Sequence, residues 1–230
     1  MSYILSFETS TQVCSVALHQ AGNLVASSEI HTSQSHSEKL TLLAQQILEN
    51  AKINLEDVEA IAISKGPGSY TGLRIGVSTA KGLCFALQKP LISISTLKIM
   101  ALEASNFIFD NQILICPMID ARRMEVYCAI FDVNLNEKLP INAAIITEKS
   151  FENILSNQKI FFMGDGAEKC KTTFSFSANA VFPRTEMKYP HAKNMGKLAF
   201  EKFNQKKFEN VAYFEPFYLK EFVGKKLNES

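Results

Sequence analysis

A chain of 230 residues has the length of one large domain or two modest lobes, enough to bury most of its apolar surface. Its 24 basic and 23 acidic residues leave a net charge of +1, so no overall field exists to hold a nucleic-acid backbone unaided, although contact through a partner stays open. The five scattered cysteines without a C-x-x-C pair, the lack of a membrane-length apolar run and a start, MSYILSFETS, without basic residues exclude a disulfide framework, a zinc ribbon and a spanning helix; they point to a soluble cytoplasmic protein without membrane contact.

In chain order, alternation and β-branching predict strands over 4–7, 13–19 and 24–30, with Ala21-Gly22-Asn23 as a turn. A helix follows, with Ser35 and Glu38 at capping-box spacing and Leu40, Leu43, Ala44, Ile47 and Leu48 at helical intervals. VEAIAIS (58–64) is a short apolar strand running into KGPGSYTGLRIGVSTAKG (65–82), a loop and helix start holding five glycines and a proline. The second helix begins near Gly72 and ends before Pro90.

The order then recurs. Residues 113–134 read strand, acidic turn, strand, with Asp120 placed as Glu8 was; 147–157 predict a short helix, and KIFFMGDGA (159–167) a strand with a glycine turn. A further helix is predicted over 189–203 with Pro190 in its first turn, and the tail EFVGKKLNES is polar. Such a repeat means two lobes of common ancestry. The order fits an α/β protein built from two duplicated lobes of the actin-like ATPase (ribonuclease H-like) fold, with the acidic turns facing each other across a cleft. The expected division is 1–104 and 105–230, the last helix packing back on the first lobe.

Two readings of the turns stand side by side. Glu8 and Asp120 could hold magnesium through oxygen, and the loops of Thr9, Gly66, Gly68, Gly164 and Gly166 could take a nucleotide or its phosphates. Alternatively the glycines supply turn geometry and close approach, and the carboxylates bond loop backbone. GPGSYTG lacks the Lys-Ser or Lys-Thr of a Walker loop. The four histidines make no metal pair four residues apart, and no base is identifiable beside Ser69, Tyr70 and Thr71. Arg122 and Arg123 either clamp a phosphate or carboxylate or belong to a solvated turn. On the second helix, Gly72, Gly76, Ala80 and Cys84 recur at every fourth position, leaving a ridge almost without side chains that would let another helix approach. Packing of both helices on their own sheet is the other possibility.

ILSFETSTQVCSVAL, SHSEKLTLL, ISKGPGSYTGLRIGVSTAKGL, IDARRMEVYCAIF, MGDGA and EPFYLKEF, in that order along nearly the whole chain, resemble the TsaB (YeaZ) family. GPGSYTGLRIG followed by DAR-x-x-EVY is the most specific pair. The resemblance implies a non-catalytic subunit of the bacterial machinery that attaches threonylcarbamoyl to the tRNA adenosine beside the anticodon. Such a subunit pairs with a catalytic paralogue, TsaD, and with an ATPase, TsaE; it forms a homodimer when alone, meets tRNA only through the complex, and needs no cofactor. The His-x-x-x-His metal pair of TsaD would fall on Thr96 and Met100, and neither side chain replaces imidazole. Glu8 departs from the aspartate commoner in the family. The resemblance assigns Leu40, Leu43, Ile47, Leu73, Gly76, Val77, Ala80 and Cys84 to the partner interface, so Ala80→Arg is expected to break docking without unfolding the chain. A nucleotide-dependent kinase or ATPase, or a metal-dependent peptidase, are the alternatives.

Overall fold

The first six residues of regular structure form a strand buried on both faces, with Ile4 on one side and Leu5 and Phe7 on the other, each under a helical layer. The computed structural model describes residues 2–31, 36–184 and 187–220. The expected Ser35–Glu38 capping box and the tail 221–230 lie outside the described residues.

In the first lobe, β1 (Tyr3–Glu8), β2 (Cys14–Gln20) and β3 (Asn23–Ile30) form an antiparallel meander, and α1 (His36–Ala51) leads to β4 (Val58–Gly66). Helix α2 (Tyr70–Leu87) then precedes β5 (Leu91–Ser95), giving the sheet order β3-β2-β1-β4-β5 with β1, β4 and β5 parallel. Helix α3 (Thr96–Ser105) leads to the second lobe. There β6 (Leu114–Asp120), β7 (Glu125–Phe131) and β8 (Glu137–Ile145) form another meander, followed by α4 (Glu152–Leu155), β9 (Ile160–Met163), α5 (Asp165–Glu168), α6 (Lys171–Phe174) and β10 (Ala180–Val181). The order β8-β7-β6-β9-β10 repeats that of the first sheet strand for strand. A 3-10 turn at Ala192–Met195 and α7 (Gly196–Asn204) close the fold.

Apolar faces decide the layers. Helices α1 and α2 cover one face of the first sheet, with Leu43, Ile47, Val77, Ala80 and Cys84 meeting Leu5, Phe7, Val16 and Ile61. On its other face lie α7 and α3. Seven of the ten residues of α3 are buried, because this helix is apolar nearly all round and stands between the two sheets: Ile99 and Leu102 pack on the first, Leu97, Met100 and Ala104 on the second.

Two predicted helices are shorter than the sequence suggests. Over 147–157 only Glu152–Leu155 is helical, since Phe151 enters at φ +60° and directs its ring onto Phe162 and Phe174. Over 189–203 the helix starts at Gly196, not at Pro190, because a 3-10 turn at Ala192–Met195 comes first; Gly196 itself is pressed against His19, where a Cβ would stand 2.3 Å from the imidazole Cδ2.

Candidate functional site

The first glycine loop is filled by its own chain. Thr9 and Ser10, which follow β1, lie inside it: the Ser69 amide donates to the Ser10 carbonyl at 2.6 Å, and the Thr9 hydroxyl donates to the Gly72 carbonyl at 2.8 Å. Ser69 caps α2 by accepting from the Gly72 amide. A Cβ at Gly68 would stand 2.3 Å from the Ser10 carbonyl oxygen, and one at Gly72 2.1 Å from that of Thr9. Gly66 adopts φ +112° before a cis Pro67, and the Phe217 carbonyl crosses directly over it. Of the two readings left open by sequence, close backbone approach is the one that matches this geometry.

Glu8 lies wholly within the core and accepts the Ser10 amide at 2.5 Å. Burial raises its pKa above the ordinary 4.5, and the bonds from Ser10, Ser64 and Thr9 pull the other way without outweighing it.

At the second acidic turn an ammonium group stands beside the carboxylate. Asp120, at the end of β6, is half-exposed and accepts both the Arg122 amide at 2.8 Å and Lys169 Nζ at 2.5 Å. Lys169 Nζ also donates to the carbonyls of Arg123 and Glu125, each at 2.6 Å. The turn it holds contains Arg122 at φ +70° and Arg123 at φ +47°, left-handed conformations that cost on the order of 1–3 kcal/mol each for residues with side chains. Glu125 is paired in turn with Lys220. Gly164, at φ +108°, lets β9 turn against β6, where a Cβ would stand 2.0 Å from the Met118 carbonyl oxygen; Gly166 abuts Ile119 and Asp120.

A pocket of about 250 Å³ opens beside Gly164, lined by Met163, Phe182, Arg184 and other residues of the second lobe, and neither Glu8 nor Asp120 borders it. Thr96 and Met100 stand one turn apart on α3; the Thr96 hydroxyl is 2.7 Å from that of Ser64, and the Met100 methyl lies against Gly164. A hydroxyl and a thioether pack there, and among the described residues no group of three or more His, Cys, Asp or Glu is placed to hold a metal.

The helices are amphipathic in the opposite sense to that expected for a bare docking ridge. Leu40, Leu43, Ile47, Leu73, Gly76, Val77, Ala80 and Cys84 are all buried in the chain's own core. The ridge of small residues faces inward because Thr9 needs the room: a Cβ at Gly76 would stand 2.2 Å from the Thr9 hydroxyl oxygen. This corrects the use of Ala80→Arg, since Ala80 is fully buried and a guanidinium there would enter the core. The outward faces are different residues: Leu42 on α1, 50% exposed, and Ser78, Gly82 and Phe85 on α2, with Phe85 84% exposed. Nothing lies within 4 Å of where a Gly82 Cβ would stand. Lys81 Nζ bonds the carbonyls of Ala212 and Phe214, which brings the exposed Tyr213 alongside α2. Sequence spacing located the helices but chose the inward stripe; the signal that marks the outer face is Leu42 and Phe85 standing off it.

Paired sheets of identical strand order, each with its acid at the end of the first strand and glycines after the fourth, define an actin-like ATPase fold whose first phosphate loop is occupied by its own backbone. The activator of 2-hydroxyisocaproyl-CoA dehydratase from Clostridium difficile, solved with bound ADPNP, shares that fold at TM-score 0.51 and 12% identity over 90% of this chain and 98% of that one. A family model described as "TsaD: tRNA N6-adenosine threonylcarbamoyltransferase" matches residues 25–225. The tRNA threonylcarbamoyladenosine biosynthesis protein TsaB of Haemophilus influenzae is 31% identical over 97% of this chain and 96% of its own length. YeaZ from Pseudomonas aeruginosa superposes at TM-score 0.80 with 28% identity, covering 95% of this chain and 100% of that one. The chain belongs to the TsaB (YeaZ) family, within the wider glycoprotease-like group that the family model describes.

Proposed function

We propose that this protein is a non-catalytic scaffold in tRNA threonylcarbamoyladenosine formation. It pairs in the cytoplasm with a TsaD-type catalytic paralogue, and the pair engages a TsaE-type ATPase. The observation that carries the reading is the division of labour on α1 and α2: their inner stripes are spent on the chain's own sheet, while Leu42, Phe85 and the open ground at Gly82 and Ser78 remain outside. An aromatic anchor beside small residues suits the centre of a helix–helix interface, which buries roughly 800 Å² per partner. The same face serves a homodimer when the paralogue is absent. The self-filled glycine loop and a Glu8 carboxyl turned onto the Ser10 amide inside the core support a scaffold over an ATPase.

Gly82→Arg tests the reading. It adds a side chain into open space and removes a helical glycine, so the lone chain should be as stable as the parent or up to about 1 kcal/mol more so. Co-purification with the TsaD-type protein, and tRNA modification by the reconstituted set, should both be lost. An intact complex carrying Gly82→Arg would overturn the assignment of this face.

A further inference from the structure

The turn between β6 and β7 is built at odds with its own backbone. Two consecutive left-handed positions are the preserve of Asn and Gly, yet here they carry Arg122 and Arg123. Lys169 holds them in place through the carbonyls of Arg123 and Glu125 and the Asp120 carboxylate. Nothing in the requirements of a hairpin calls for guanidinium groups at these positions, so their side-chain chemistry accounts for them better than their backbone preference does.

The local charges are already arranged for an outside anion. Asp120 is engaged by Lys169 and Glu125 by Lys220, so the acids flanking the turn are spoken for. Both arginines are exposed and enter no ion pair among the described residues. Arg184, also exposed, follows β10 at the same carboxyl edge of the second sheet. We propose that Arg122 and Arg123 form a clamp for the phosphate backbone of RNA. The guanidinium fork is always charged, weakly hydrated and matched to phosphate oxygens. Residues 120–125 offer no aromatic ring on which a base could stack, so the clamp reads backbone and not sequence. With a net charge of only +1 the chain binds RNA weakly by itself, and the clamp works as one part of a larger surface. Choosing RNA over an acidic protein rests on the proposed role in tRNA modification.

The test is the double substitution Arg122→Asn, Arg123→Gly, which suits the left-handed turn while removing both cations. Binding of a tRNA transcript is titrated against salt in two arms, the chain alone at low salt and the chain assembled with the TsaD-type protein. The substitution should weaken RNA binding in both arms, equally for unrelated tRNAs, and make the log–log salt slope shallower by about 1.4 to 1.8, some 0.7 to 0.9 per lost phosphate contact. The thermal midpoint should hold or rise, and Arg122→Lys, Arg123→Lys should restore most of the slope. Unchanged affinity and slope, or no RNA binding by the parent in either arm, would overturn the clamp. So would loss of the protein partner with RNA binding by the lone chain unaltered, which would make the arginines a protein contact. If the parent pairs with no TsaD-type protein, the scaffold reading fails and the lone-chain titration still decides the clamp.

Discussion

At Gly72 a single methyl group has no place to go. Its carbon would stand 2.1 Å from the Thr9 carbonyl oxygen, a backbone atom that cannot swing aside as a side chain would. Gly72→Ala should therefore lower stability by about 1–3 kcal/mol, the usual range for overpacking, measured by urea denaturation; an unchanged midpoint would mean that α2 slides freely over β1. Glu8 makes a second residue-scale prediction. Its folded pKa lies above 4.5, so the folded chain binds its proton more tightly than the unfolded one. The contribution of Glu8 is complete below pH 4.5 and declines as the pH rises from there through the folded value. Glu8→Gln should flatten the pH dependence above 4.5 and raise stability near neutrality. His19 runs in the opposite sense. Burial lowers its pKa below 6.5, its ring bonds Ser6 and the Lys193 carbonyl, and the stability it brings is lost as the pH falls from 6.5 through the folded value.

At the scale of elements, α2 shows how one helix satisfies two demands. Every fourth residue from Gly72 to Cys84 is small, and that face lies against β1 and β4; Ser78, Gly82 and Phe85 look outward. Ala80→Arg should leave little folded protein in a thermal scan, whereas Phe85→Asp should leave the melting curve of the lone chain unchanged and weaken docking. The period of the small residues was legible in the sequence, but its direction was not. A bare ridge looks the same whether it awaits a neighbour or the chain's own Thr9, and only the register of β1 against β4 decides. The meanders, the duplicated order and the glycine turns could be read because alternation and acidic or glycine punctuation mark them. Helix α3 could not, since seven of its ten residues are buried and so broad an apolar run shows little helical periodicity to separate it from a strand. Strand β8 carries Pro140, accommodated on a sheet edge, and edge status is a tertiary fact. The Lys169 bonds join residues more than forty positions apart, and nothing local in the sequence announces them.

At the scale of the whole molecule, the two sheets share an order yet differ in what their turns hold. The first loop is packed against the backbone of Thr9 and Ser10 and the second acidic turn holds a lysine, so one architecture carries two differently built turns. Millimolar ATP should leave the thermal midpoint of the lone protein within error; a rise of several degrees would restore the ATPase alternative through binding linkage. The stretch from Glu209 to Lys220 bears on the same point. Its Glu209 amide bonds the Leu91 carbonyl, the Tyr218 ring lies tilted against Tyr70 and its hydroxyl accepts from Arg74, the Phe217 amide bonds the Lys65 carbonyl, and Lys220 reaches Glu125 in the other half. A chain laced across both halves in this way cannot swing like a clam without breaking its own stitches. Any parting of the two halves would have to break the Lys220–Glu125 pair as well as the packing around α3.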